Sequence, residues 1–410
     1  MAKLKIGIEC ENLEDPKSRW GIGKITLNLL KEFANNPEWQ KRYKLYLYFK
    51  NHIPDDDFFK IHNSKFKIRI LGFPSFNIFY HILMPLRAMM DRVDWMFFPA
   101  YQLPPLYFGK SVVVLTEDAY YEYKYGVLPF RYKLSYRIFT NWAAKFATKI
   151  LAISETSKKE VARVYKIRPD KIFVNYLGID IGNVGNVGHV GDDRNEKTNP
   201  TQRSQVGLDE AVQQNEVVKQ ALRQSNNSNY LLFAGQAFPR RHLKETILAF
   251  EKIVPEFSDL KLIAIGPDKY EKPTIKLLAE EVNKKLGGEK IIYKERVSDE
   301  ELSELYAGAK MLVYVSDREA FGLPPMEALS FGVPPVVMDN ELGHELFREY
   351  AFYSKSGNAD DITDAIKQVL SDENPSTELM ARIKNSGPEF VKRYNWKNFA
   401  SRWLQIIDEK

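Results

Sequence analysis

The feature that most limits what this chain can fold into is an alternation. Short apolar runs recur between amphipathic helical patterns, on both sides of a stretch that contains no aromatic residue. Before that stretch, strands are expected at residues 5–9 (KIGIE), 44–49 (KLYLYF), 67–71 (KIRIL), 95–98, 112–116 (VVVLT), 150–153 and 172–175. After it they are expected at 230–234, 260–265, 290–293, 311–315 and 335–338. Helical patterns such as residues 24–33, 244–254 and 299–309 separate them. Parallel strands need crossover connections, and the crossover helices cover both faces of the sheet. The expected class is therefore α/β, with two Rossmann-like doubly wound domains facing each other across a cleft. Ligands bind at the C-terminal strand edges of such sheets.

The aromatic-free stretch, residues 181–229, opens with the near-repeat GNVGNVGHVG. It has too little to bury to offset its ordering entropy, so it reads as a flexible linker with a short surface helix near 209–224. This gives an N-terminal domain at 1–180, the linker at 181–229, a second domain at 230–390 and a final helix at 391–410. Charge divides the same way. Residues 1–180 carry 29 Lys+Arg against 18 Asp+Glu, whereas residues 230–410 carry 25 against 30. Opposite signs suggest different partners. With 44 % hydrophobic residues and a single cysteine, Cys10, the chain reads as globular and disulfide-free, as suits a reducing cytosol. The opening MAKLKIGIEC is too short and too charged for a signal-peptide core. The longest charge-free run, between Arg69 and Arg87, is broken by Pro74, Asn77, His81 and Pro85 and is no membrane span.

The chemistry concentrates in residues 317–335, DREAFGLPPMEALSFGVPP. Proline suits a helix's first turn, where its missing N–H costs nothing, and glycine suits the left-handed turn before it. Residues 320–324 are therefore expected to turn into a helix N-terminus, where backbone N–H groups and the helix dipole attract anions. Gly322 there would let a diphosphate approach closely. Glu319 before the turn and Glu327, expected in the first helical turn, bracket that site. Each carboxylate can accept from two hydroxyls, so the pair fits a diphosphate flanked by two hydroxylated groups, the layout of a nucleotide sugar. The plainer reading makes Glu319 a solvated residue and Glu327 a partner of the helix dipole. The glycine, the prolines and the strand–turn–helix context favour the site.

These residues resemble the retaining glycosyltransferases of family 4, which have the GT-B fold. The family's Glu-X7-Glu signature is matched by Glu319 and Glu327 within EAFGLPPMEALSFGVPPVV. The resemblance extends over nearly the whole chain outside the linker. GIGKIT at residues 21–26 is similar to its N-terminal glycine loop, LAISETS at 151–157 to a strand end, and YLGID at 176–180 to the approach to the linker. FAGQAFPRR at 233–241 resembles the start of the nucleotide domain, VSDEEL at 297–302 the segment beside the base, and YNW at 394–396 the segment crossing back to the N-terminal domain.

The resemblance implies transfer of a sugar from a nucleotide-diphosphate donor to an acceptor hydroxyl with retention, without metal or other cofactor. Basic side chains and amides would stabilise the leaving diphosphate. It also implies that Glu319 contacts the donor sugar, that Phe321, Gly322 and Leu323 offer backbone contacts, and that Glu327 holds the ribose. Gly21 and Gly23 would close on the diphosphate, Arg240 and Arg241 would supply charge, and Val297 would lie near the base. The chain departs from the family at Gln236, where an arginine is common, and at Glu117-Asp118, where a His-Asp pair is common. Glu117 either takes over the histidine's place beside the sugar or is merely a helix-capping carboxylate. His344-Glu345 stands where Pro-Glu is frequent.

Other features carry less. Asp55-Asp56-Asp57 contains an Asp-X-Asp but follows Pro54 and reads better as a helix N-terminus than as a metal site. The scattered histidines lack ligand spacing. Gly21-Ile22-Gly23 lacks the third glycine of a dinucleotide fingerprint, so hydride transfer is a weak alternative. Tyr132, Tyr136, Phe139 and Phe146 share a helical face that is expected to be core. Arg131, Lys133, Arg137, Lys145 and Lys149 would face solvent and suit anionic headgroups or a diphosphate-linked lipid. No nucleic-acid motif accompanies the charge. The expectation is a cytoplasmic hexosyltransferase, peripheral at the inner face of a membrane, that acts on a saccharide or lipid-linked acceptor. Its rival is a non-catalytic sugar-nucleotide-binding or scaffold subunit, favoured by Gln236 and Glu117.

Overall fold

A computed structural model describes residues 3–15, 21–73, 75–126, 129–180, 229–371 and 374–409. The linker expected at 181–229 and its helix lie outside these residues, apart from Asn229.

Two parallel sheets organise the chain. The first contains β1 (Leu4–Glu9), β2 (Tyr43–Phe49), β3 (Lys67–Ile70), β4 (Trp95–Phe98), β5 (Lys110–Val114), β6 (Lys149–Ala152) and β7 (Ile172–Val174), in the order β3-β2-β1-β4-β5-β6-β7. The second contains β8 (Tyr230–Ala234), β9 (Lys261–Ile265), β10 (Ile291–Lys294), β11 (Met311–Tyr314), β12 (Pro335–Met338) and β13 (Phe352–Ser354), in the order β10-β9-β8-β11-β12-β13. Each strand pairs in parallel; Ile6 sits between Leu45 and Trp95, for example. Strands such as WMFF and YLLFA are buried throughout, as a sheet covered on both faces requires.

Strand order reverses between β1 and β4 and again between β8 and β11. The loops leaving the two strands diverge at such switch points and open a crevice. In the second sheet those loops are residues 235–241 and 315–322, which carry Gln236, Arg240, Arg241 and Glu319. Topology alone thus places the Glu-X7-Glu segment at a ligand crevice.

The helices that matter to the site are α1 (Ile22–Ala34), α2 (Met84–Asp91), α3 (Glu117–Tyr125), α4 (Phe130–Phe146), α5 (Glu155–Tyr165), α6 (Asp299–Gly308), α7 (Leu323–Ser330), α8 (Glu341–Phe347) and α9 (Trp396–Asp408). Helix α9 packs on the first sheet. Trp403 lies 5.3 Å from Phe97, Asn175 donates to the Phe399 carbonyl at 3.0 Å, and Lys149 donates to the Ile406 and Glu409 carbonyls. Gly178 permits this approach, because a Cβ there would fall 2.4 Å from the Trp396 nitrogen. Asp56 caps the helix Asp57–His62 by accepting from the Phe59 amide at 3.1 Å, the structural role expected for the aspartate run.

Three expectations need correction. The strand expected at 112–116 runs Lys110–Val114, with Thr116 as the residue preceding α3. The edge strand β13 was not expected; at three residues, FYS, it is too short for a pattern. The aromatic stripe on α4 is not core. The helix buries Thr140, Ala143 and Ala144 instead, while Tyr132 and Phe146 stay about half exposed. Small residues let the helix approach the sheet closely. Phe139 is displaced to the flank, where it stacks on His81, and Tyr136 stacks on Tyr101.

Candidate active site between the two sheets

The turn after β11 determines the site. Gly322 precedes α7 with φ of 97°, a left-handed conformation that favours glycine, and a Cβ there would also meet the Phe347 ring at 3.4 Å. Pro324 and Pro325 have no N–H, so the anion-facing amides available at the tip are those of Phe321, Gly322 and Leu323. The Phe321 side chain is buried near Tyr176 and Tyr394, leaving only its backbone for the cleft.

Glu319 is gripped by its own domain. Arg241 donates from Nε to Oε1 at 2.6 Å and from Nη2 to Oε2 at 3.0 Å, a bidentate fork. Ser316 and Tyr314 donate to Oε1 at 3.1 and 3.3 Å. Burial pushes the Glu319 carboxyl up, but the adjacent Arg241 charge and its hydrogen bonds outweigh it, and the net shift is downward. Glu319 is thus an anion whose Oε2 retains acceptor capacity. Arg241 Nη1 also donates to the Gln236 carbonyl at 3.0 Å, which fixes the guanidinium plane. Arg240 lies 4.3 Å over the Phe238 ring and donates to the Arg318 carbonyl.

Glu327 lies beyond the first turn of α7, a correction to its expected place. It accepts from Tyr306 of α6 at 3.0 Å and from Lys24 of α1 at 3.2 Å. Lys24 also pairs with Asp180 at 2.7 Å. Burial lowers the Lys24 pKa, but Glu327 and Asp180 more than reverse that, so the ammonium is retained. Gly21 caps α1 and Gly23 is buried within its first turn. Val297, half-buried on the core, immediately precedes Ser298, which caps α6.

The adjacent carboxylates Glu117 and Asp118 part company at the start of α3. Glu117 is 3 % exposed and accepts from the Ser157 hydroxyl at 2.5 Å. Asp118 keeps 40 % of its side-chain surface and stands 3.9 Å from Arg240 across the cleft. Both pKa values are raised: Glu117 by burial and then the Asp118 charge, Asp118 by burial and then the Glu319 charge, against three nearby arginines. Of the pair, Asp118 is the one opposite the basic loop.

The sequence reading missed what holds the lobes together. Glu345 accepts from the Glu155 and Thr156 amides at 2.8 and 2.7 Å, from the Thr156 hydroxyl at 2.6 Å and from Tyr176 at 2.9 Å. A carboxylate from one lobe therefore caps α5 of the other. Ser154 donates to the Ala320 carbonyl at 2.9 Å, tying the end of β6 to the Glu319 loop. Lys24, Tyr306, Tyr314 and Ser316 also went unselected; of these, Lys24 stood beside a quoted motif.

At the first sheet's edge, burial and the Glu11 charge push the Glu9 carboxyl up to about 8, against bonds from the Glu11 amide and Asn12 that lower it. The folded state therefore holds a proton that the unfolded chain releases at its ordinary, lower pKa. Stability should fall as pH rises through that window, by up to about 1.4 kcal/mol per unit. Glu9→Gln should flatten the fall and be the more stable protein near pH 8, as urea midpoints across pH would record. Asn12 Oδ1 has no partner and can receive the new amide after a flip.

Residues 214–390 match the family model described as glycosyl transferases group 1. That segment is a group 1 glycosyl transferase domain. It contains Arg241, Glu319 and Glu327. The serotype-specific mannosyltransferase WbdA of Escherichia coli is 31 % identical over 179 residues, which is 43 % of this chain and 20 % of WbdA. The chain thus spans about a fifth of that relative's length. The O-antigen chain mannosyltransferase RfbU of Salmonella typhimurium is 24 % identical over 68 % of this chain and 67 % of its own. In fold, the group 1 domain and its N-terminal companion match Anabaena Alr3699/HepE in complex with UDP-glucose, at TM-score 0.66 and 15 % identity over 99 % of both chains. WaaG, a glycosyltransferase involved in lipopolysaccharide biosynthesis, matches at TM-score 0.63 and 14 % identity over 99 % of this chain and 100 % of that one. The architecture is GT-B.

Proposed function

We propose that the chain is a retaining, metal-independent glycosyltransferase. It moves a hexose from a nucleotide-diphosphate sugar to a saccharide or lipid-linked acceptor during surface polysaccharide or glycolipid assembly at the inner face of a membrane. The mannosyltransferase relatives favour mannose as the hexose. The observation that carries the reading is the Arg241–Glu319 fork beside the α7 tip, with Glu327 on the far side of that tip.

On this reading the diphosphate lies against the amides of residues 321–323 and the guanidinium edges of Arg240 and Arg241 that remain free. These donors stabilise the charge that develops on the leaving group. Glu319 both aims Arg241 and accepts a sugar hydroxyl at Oε2. Lys24, from the opposite lobe, supplies the cation that Gln236 does not. Glu327 exchanges one of its present partners for the ribose. Asp118 faces the anomeric side and favours positive charge there, while Glu117 stays on Ser157 and holds α3 against α5.

The test is incubation of the purified chain with UDP-, GDP-, ADP- and dTDP-sugars and a saccharide acceptor. Release of nucleoside diphosphate and the anomeric configuration of the product are followed by NMR. Binding without release, even with acceptor present, would instead support a scaffold subunit. Glu327→Ala and Lys24→Met should each weaken nucleotide binding about tenfold, the loss of roughly one charge-assisted hydrogen bond, with kcat nearly unchanged. Calorimetric titration of each variant checks this.

A further inference from the structure

The outward face of two N-terminal helices carries apolar surface that the fold does not use. Helices α2 and α4 lie on the same face of the first sheet, where Met84, Ala88, Ala143 and Ala144 join one core with Phe98 and Val113. The stacking of His81 on Phe139 at 4.4 Å sets the two helices side by side. Away from that core, Leu86, Met89 and Met90 of α2 are 50, 58 and 73 % exposed, and Phe130, Leu134 and Ile138 of α4 are 79, 43 and 53 % exposed. The α4 residues recur every fourth position and form one stripe.

Charge on this face has one sign. Helix α4 contains Arg131, Lys133, Arg137 and Lys145 and no acidic residue, and none of the four pairs with a carboxylate among the described residues. The one acid of α2, Asp91, is already held by Arg69 and Arg87. An apolar stripe edged by uncompensated cations suits an interface of acyl chains below anionic headgroups. A second copy of the same face would bring like charges together, and a dry protein interface would leave the cations without partners.

We propose that the α2–α4 face is a lipid-binding surface that seats the N-terminal lobe on an anionic bilayer. The apolar stripe enters the headgroup boundary and the arginines and lysines meet lipid phosphates. The proposal stands on this surface and does not depend on the transfer reading.

Sedimentation of the full chain with vesicles tests it. The chain should pellet with vesicles of phosphatidylcholine mixed with phosphatidylglycerol, less so as salt rises, and stay in solution with phosphatidylcholine alone. Leu134→Glu combined with Ile138→Glu should abolish pelleting. Arg137→Gln and Lys145→Gln should each weaken partitioning about fivefold. Both residue classes are exposed, so melting temperature and nucleotide binding should match the parent, which separates this surface from the cleft. Parent-like pelleting by the double glutamate variant overturns the proposal. So does a concentration-dependent dimer, abolished by the same substitutions, from a chain that never pellets.

Discussion

Glu319→Ala should abolish sugar transfer, lowering kcat by about a thousandfold or more, the scale of losing a preorganised group at a developing charge. Two losses combine. The carboxylate that would accept a sugar hydroxyl is gone, and Arg241 is released from the fork that aims it. The second loss also costs stability. The Arg241 side chain is only 14 % exposed, so removing Glu319 leaves a nearly buried guanidinium without its counter-charge, at a cost of roughly 3 kcal/mol. Glu319→Gln should fall between, since its single oxygen can accept from one arm of Arg241 while its NH2 group faces the other. Transfer rate and urea midpoint should therefore fall in the order parent, Gln, Ala. A Glu319→Ala protein that turns over at the parent rate would remove the basis of the proposed function.

The Glu319–Arg241 pair was legible in sequence because its surroundings are local. Strand β11, Gly322, two prolines and a short helix lie within one window, and each reports its conformation through its own chemistry. The two-sheet architecture was legible for the same reason, since apolar runs with intervening helices leave few alternatives. What sequence did not convey is orientation. Glu117 and Asp118 are neighbours at the start of α3, and successive helical side chains point about 100° apart. Which one enters the cleft depends on how α3 is rotated against α5, a tertiary matter decided by Ser157. The face of α4 misled for a related reason. Its aromatics mark an amphipathic stripe, yet Ala143 and Ala144 permit the closer approach to the sheet and so take the core.

Glu345 left still less trace, because its partners lie at 155, 156 and 176, far away in sequence. Its expected effect is nonetheless large. A carboxylate that accepts two amides at a helix N-terminus, along with two hydroxyls, stabilises the juxtaposed lobes by about 3 kcal/mol. If transfer requires the lobes to stay together over the donor, that stabilisation is part of the donor's apparent affinity. Glu345→Ala should then raise the donor KM by about a hundredfold, the equivalent of that loss, and change kcat far less. It should also increase the radius of gyration in solution scattering, because the lobes separate more often. Glu345→Gln keeps one oxygen for the amides and should lie between. The circular dichroism spectrum should not change, since both sheets lie outside the latch. A variant with parent-like scattering and parent-like KM would mean that the other cross-lobe bonds, from Ser154 to Ala320 and from Lys24 to Glu327, are sufficient to hold the cleft. The measurement thus distinguishes a cleft closed by one carboxylate from one closed by the binding loops themselves.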